Sequence, residues 1–183
     1  MYTLISNLDQ AVYAWFYGIR TETGIVFFTY LTQIGSTEAI IIFALIFVIY
    51  LYSRGKSKQA GVFIIGLLTN TIVVYGLKSF VHRPRNLLSV VSETTTSFPS
   101  GHTAATIFFF GFVLYYTTKS LPHGFWRAMV RTVCVLLVIL IPSSRLYLGA
   151  HYFTDILASV CIASTVLFIT VKQWEKASVQ AQK

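Results

Sequence analysis

Five apolar runs, at residues 39–52, 61–77, 103–118, 126–142 and 152–171, are separated by polar connections. The pattern predicts helices, because runs of this length reach or approach the roughly 17 to 25 residues that a membrane-spanning helix needs. Barrel strands would be about half as long and would alternate in polarity. A helix also satisfies its backbone hydrogen bonds internally, which the bilayer core demands. The run at 39–52 is the shortest, and extending it backwards meets Glu38. The expectation is an all-α integral membrane helix bundle with five transmembrane helices.

The segment before the first run reads differently. Residues 2–35 place Leu4, Ile5, Leu8, Val12, Trp15 and Phe16 on a periodic apolar face, interrupted by Asp9, Gln10 and Arg20. Such a face suits a helix lying in the bilayer interface. The stretch 24–35 is apolar but only a dozen residues long. A pair of interfacial or re-entrant N-terminal helices is expected, with a sixth, short span as the alternative. No basic n-region precedes the early apolar stretch, so no cleavable signal peptide is expected. With no repeat and no linker in view, the organisation expected is one domain over 1–183. It comprises N-terminal helices at 1–35, the helix bundle at 36–175 and a cytoplasmic tail at 176–183.

Composition supports the membrane reading: 55% of the 183 residues are hydrophobic and only 11% are charged, with a mean hydropathy of +0.69. A net charge of +8, from 14 Lys and Arg against 6 Asp and Glu, raises the question of nucleic acid. The positions of the charges answer it. Arg54, Lys56 and Lys58, then Lys119, Arg127 and Arg131, then Lys172, Lys176 and Lys183 fall in segments on one side of the bundle. By the positive-inside rule that side is cytoplasmic, and no nucleic-acid partner is needed to explain the excess. Asp9, Glu22, Glu38, Glu93 and Asp155 belong to the other side. Cys134 and Cys161 lie within apolar runs and read as small packing residues.

Four cations besides Arg20 remain on the outer side: Lys78, Arg83, Arg85 and Arg145. Singly, Lys78 can snorkel to the interface and Arg145 can pair with Asp155. Together they come with partners. "KSFVHRPR" closes the second run, "PSGH" opens the third, and "SRLYLGAHYFTD" joins the fourth to the fifth, so all three lie at one membrane face. Convergence of these segments makes a pocket for a dense anion, most simply phosphate, because guanidinium forks match pairs of oxygens and lysine adds a mobile charge.

Ser100 and Gly101 sit where a helix beginning near His102 leaves its first N–H groups free, a natural anion site. His151 and Asp155 are four apart; on one helix they share a face, and the carboxylate can hold one ring nitrogen's proton while the other nitrogen meets substrate. His102, from another segment, supplies a general acid. Phosphoryl transfer asks a protein mainly for positioning and positive charge, which this inventory offers.

These three segments resemble the signature of the type 2 phosphatidic acid phosphatase superfamily. Pro99 to His102 matches its second motif unchanged, and Ser144, Arg145, His151 and Asp155 match its third. The first aligns as Lys78, six residues, Arg85, with Asn86 where the family usually has proline. The resemblance implies a phosphohistidine on His151, oriented by Asp155, with His102 protonating the leaving group. It implies phosphoryl binding by Lys78, Arg85, Ser100, Gly101 and Arg145, with Arg83 and Ser144 as possible additions, and neither metal nor other cofactor. The implied substrate is a lipid phosphate drawn from the membrane lipids, at the outer face of a bacterial cytoplasmic membrane. "PSGH" favours phosphatidylglycerol phosphate or phosphatidate; undecaprenyl pyrophosphate is the alternative. Two remoter readings use the same pocket: a non-catalytic anionic-lipid binder or transporter, and an oxidative vanadate enzyme, whose relatives are generally soluble.

Overall fold

The computed structural model describes residues 2–86, 88–93 and 95–180. Lys183 and the end of the expected tail, like positions 87 and 94 of the long outer connection, lie outside them. Seven helices follow in order: α1 (Tyr2–Gly18), α2 (Glu22–Gln33), α3 (Thr37–Ser53), α4 (Ser57–Val81), α5 (Gly101–Ser120), α6 (Phe125–Tyr147) and α7 (Phe153–Gln180). There is no strand among the described residues. Local chemistry marks several starts. The Thr21 hydroxyl accepts from Gly24 N at 3.0 Å to cap α2, and Ser36 accepts from Ala39 N at 3.2 Å to cap α3.

Each apolar run is a helix, but the span count differs in detail from the expectation. α4, α6 and α7 are long and apolar enough to cross a membrane on their own. α3, with 17 residues, is short by itself, yet α2 and α3 meet at a 41° bend and pass together as a broken span or re-entrant loop. The stretch 24–35 is therefore the first limb of a bent pair. α5 is less apolar because His102, tyrosines and threonines dilute it. Its position allows this: α5 packs on α3, α4, α6 and α7 and buries Ala104, Phe108 and Phe112 completely, so little of it must satisfy lipid.

The core is aromatic. Phe63 stands edge-on to Phe47 at 5.1 Å between centroids and lies 5.0 Å from Phe112, which in turn meets Trp174 at 5.2 Å. Lipid tails are as apolar as these rings, so shape and ring geometry hold the bundle, with about 0.5–1.5 kcal/mol per aromatic pair. α4 packs tightly at Gly66, where a Cβ would strike the Thr170 side chain of α7 and the Phe108 ring of α5.

α4 and α6 end, and α5 and α7 begin, at the same end of the bundle. The 82–100 connection folds over that end, tied by Ser97 N to Arg83 O at 2.8 Å and Val90 N to Leu148 O at 3.1 Å. α1 packs against α6 and α7 beside it.

Candidate active site

Lys78 lies in the last turn of α4, 8% exposed, and donates to Thr96 O at 2.7 Å. Beyond the left-handed His82 (φ 46°) the chain turns to deliver two arginines in different directions. Arg85 donates through Nε to Thr95 O and through Nη1 to Ala150 O, each at 2.6 Å, and Nη1 also lies 3.4 Å from His151 Nε2. Arg83 turns the other way, to Asp155 and Asp9.

The α6–α7 junction carries the third group. α6 ends through Gly149 at φ +70°, so that Arg145 O accepts from both Ala150 N (3.0 Å) and His151 N (3.3 Å). A positive φ here favours glycine. Arg20 caps this end by donating from Nε to Tyr147 O at 2.6 Å. His151 therefore sits in the turn before α7, and not on one helix with Asp155 as the four-residue spacing suggests. The pair still meets: His151 Nδ1 is 3.6 Å from Asp155 Oδ2, just beyond hydrogen-bond reach, and this buried nitrogen has no other partner. Such contacts are often long without substrate.

Asp155 is fully buried and held on every side. Arg83 Nη1 donates to Oδ1 at 2.6 Å, while Tyr152 N (2.9 Å) and Ser97 Oγ donate to Oδ2. Arg83, not Arg145, is its ion partner. Burial, with Arg145 and Arg85 adding to it and Asp155 opposing, pushes the His151 imidazole down to about 4, so it is neutral at physiological pH.

The N-terminus of α5 arrives opposite. Ser100 is buried, its hydroxyl accepting from Thr103 N at 3.4 Å as the N-cap, and its own N–H donates to Ser159 Oγ at 2.8 Å. Pro99 thus stands just outside the helix. Gly101 opens the helix with nothing within 4 Å of where a Cβ would sit. His102 follows, half-buried, with no hydrogen bond among the described residues. Ser144 is buried, and its hydroxyl donates into its own helix at Ile141 O (2.6 Å).

Two acids were not foreseen as part of this cluster. Arg145, 1% exposed, donates through Nη1 to Thr32 Oγ1 at 3.1 Å and through Nη2 to Glu93, whose other oxygen lies 3.5 Å from Arg85 Nη2. Burial would raise the Glu93 carboxyl, but Arg145 and Arg85 outweigh it and hold the group below its ordinary range. Asp9 of α1 is the second acid, 2% exposed and bound to Arg83. The only sequence signal for either was a lone carboxylate in an otherwise apolar or neutral neighbourhood. Among the described residues no three His, Cys, Asp or Glu side chains converge as metal ligands. The positive charge here is carried by side chains.

The chain is similar to several known proteins. Over residues 59–178 the chain matches the family model of the PAP2 superfamily. It is 31% identical over 102 residues to phosphatidylglycerophosphatase B of Bacillus subtilis (strain 168), an alignment covering 55% of this chain. The chain spans about half the length of that curated relative, 50% of it. Its fold resembles the crystal structure of the first transmembrane PAP2 type phosphatidylglycerolphosphate phosphatase from Bacillus subtilis. There the TM-score is 0.85 at 23% identity, covering 94% of this chain and 87% of the other. It also resembles Aquifex aeolicus LpxE, with a TM-score of 0.63 at 24% identity over 92% of this chain and 95% of the other. With the family model covering well over half of its residues, the motif-bearing helix ends among them, the chain belongs to the PAP2 superfamily.

Proposed function

We propose that this protein is a membrane lipid phosphatase that hydrolyses a phosphatidylglycerol phosphate or phosphatidate-type lipid through a phosphohistidine. The observation that carries the reading is the grip of Arg85 and Arg145 on one carboxylate, Glu93, with Arg85 also 3.4 Å from His151 Nε2. Two guanidiniums that hold an oxyanion beside a neutral imidazole suit a phosphoryl group, which offers more oxygens and more charge. The substrate's phosphate takes the arginines from Glu93, while Lys78 and the first N–H groups of α5 receive the remaining oxygens.

The His151 Nε2 lone pair then forms a bond to phosphorus as the bond from phosphorus to the lipid oxygen breaks. His102, which takes up a proton as the negative phosphate binds beside it, gives that proton to the departing alkoxide. Asp155 holds the proton on Nδ1 and steadies the positive ring. In the second half His102, now neutral, takes a proton from water as the water oxygen bonds to phosphorus and the N–P bond breaks. Inorganic phosphate leaves and both histidines are restored. No step draws on a metal. The basic residues at the far end of the bundle support an extracytoplasmic site, since Lys56, Lys58, Arg127 and Lys172 sit away from it.

The test is phosphate release by the detergent-solubilised protein from phosphatidylglycerol phosphate, phosphatidate, an isoprenyl monophosphate and an isoprenyl pyrophosphate. Fastest turnover is expected on the first two, and none with His151→Ala while the protein stays folded. No release from any substrate overturns the phosphatase reading. Undiminished turnover in His151→Ala overturns the nucleophile, and a clear preference for isoprenyl pyrophosphate overturns the substrate class.

A further inference from the structure

A buried carboxylate in an apolar helix is costly unless it is paired, and Asp9 is paired with groups one step from the reacting histidine. Its Oδ2 accepts from Arg83 Nη2 at 2.6 Å and from Thr154 Oγ1 at 2.7 Å; its Oδ1 accepts from Thr154 N at 2.9 Å. Thr154 is the second residue of α7 and Asp155 the third, so Asp9 also binds the N-terminal turn that carries Asp155. Arg83 bridges the two acids: Nη2 to Asp9, Nη1 to Asp155 Oδ1 at 2.6 Å and to Thr154 Oγ1 at 2.8 Å. Its plane is set from the other side by the Tyr152 ring, 4.1 Å from the guanidinium carbon. The remaining oxygen of Asp155 lies 3.6 Å from His151 Nδ1.

We propose that Asp9 is a positioning residue for the nucleophile: through Arg83 it fixes Asp155, and through Asp155 the His151 imidazole, making α1 a working part of the active site. The family model match begins at residue 59, so this role lies outside it. The inference rests on the reading of His151 as nucleophile. Arg83 serves two carboxylates at once, and its side chain is 25% exposed. Without Asp9 the guanidinium keeps Asp155 Oδ1, Thr154 Oγ1 and the Tyr152 ring through one edge, but Nη2 loses its carboxylate and can turn towards water, drawing Asp155 with it. With Asp9 it has one orientation, and the Asp155 oxygen facing His151 stays in place.

Asp9→Asn keeps the side chain's shape and the bond from Thr154 N but removes the charge that holds Arg83, and Asp9→Glu restores the charge. The first is expected to lower kcat about tenfold or more with KM within about twofold, since the phosphate ligands lie elsewhere, and the second to recover part of the loss. Nitrogen-15 spectra of histidine-labelled protein in detergent give a readout that does not depend on activity. His151 should be protonated on Nδ1 in the wild type and should lose that preference in Asp9→Asn. Should Asp9→Asn fail to fold, Arg83→Lys, which keeps one charge but cannot bridge two carboxylates, is expected to show the same two changes. Wild-type turnover and tautomer in the variant overturn the proposal. So does a parallel loss in kcat and KM that Asp9→Glu does not relieve, which marks a purely structural anchor. If the wild type hydrolyses none of the lipids, the phosphatase reading falls on its own, and the tautomer comparison still decides the role of Asp9.

Discussion

Glu93 and Arg145 form an ion pair in which the arginine is among the largest fully buried side chains and the acid comes from the connection folded over the bundle end. Glu93 neutralises a charge that, in the proposed mechanism, the substrate's phosphate neutralises in its place. Glu93→Gln should therefore leave Arg145 short of a partner and lower stability without anions, by about 3–5 kcal/mol if the site cannot relax. Inorganic phosphate should restore more of the melting temperature in this variant than in the wild type, because it binds the folded state alone. Product inhibition should tighten for the same reason. Equal phosphate stabilisation of both proteins would show that Glu93 does not compete with phosphate.

Gly149 holds the turn that presents His151. Its φ of +70° is strained for any residue with a Cβ, and that Cβ would also press on the Tyr13 ring and the Arg20 guanidinium that caps α6. Gly149→Ala should cost about 1–2 kcal/mol from the backbone alone. Turnover should fall further than stability, since the displaced segment carries the Arg145 O to His151 N bond at 3.3 Å. Denaturant unfolding in detergent and turnover measured on the same sample check both parts.

The helices were legible because the bilayer imposes a simple rule: long apolar runs must be helical. α5 shows where that rule loosens, since a helix enclosed by others can carry Thr103, Thr106 and Tyr116 in its buried surface. The convergence of the motif segments was legible as well, because cations at the ends of apolar helices need partners, and the structure brings these segments to one end of the bundle. Their pairing was not. Arg83 and Arg85 are two residues apart and chemically alike, and only the turn after His82 sends one to Asp155 and the other to His151. Asp9 and Glu93 were invisible as site members for a related reason: Asp9 meets Arg83 across 74 positions and Thr154 across 145, and Glu93 meets Arg145 across 52, separations that no local spacing encodes.

The same packing sets a pH dependence. His151 is pushed down to about 4 by burial first, and by Arg145 and Arg85 in addition. In the proposed mechanism the neutral ring is the nucleophile, so protonation of His151 in the free enzyme should remove activity only as pH falls through about 4, well below the ordinary histidine value of about 6.5. For stability the sign runs alike. Below about 6.5 the unfolded chain takes up a proton on this residue that the folded chain refuses. The stabilisation is thus fully present above that pH and is lost as pH falls through the folded value. The measurement is kcat/KM against pH on a short-chain lipid phosphate, corrected for the substrate's own second ionisation near about 6. Arg85→Gln removes one of the two cations and should move the acid limb upwards, at lower overall rate. A corrected limb that stays at the ordinary histidine value in the wild type would mean that burial does not keep this imidazole neutral, and the nucleophile would need another source of activation.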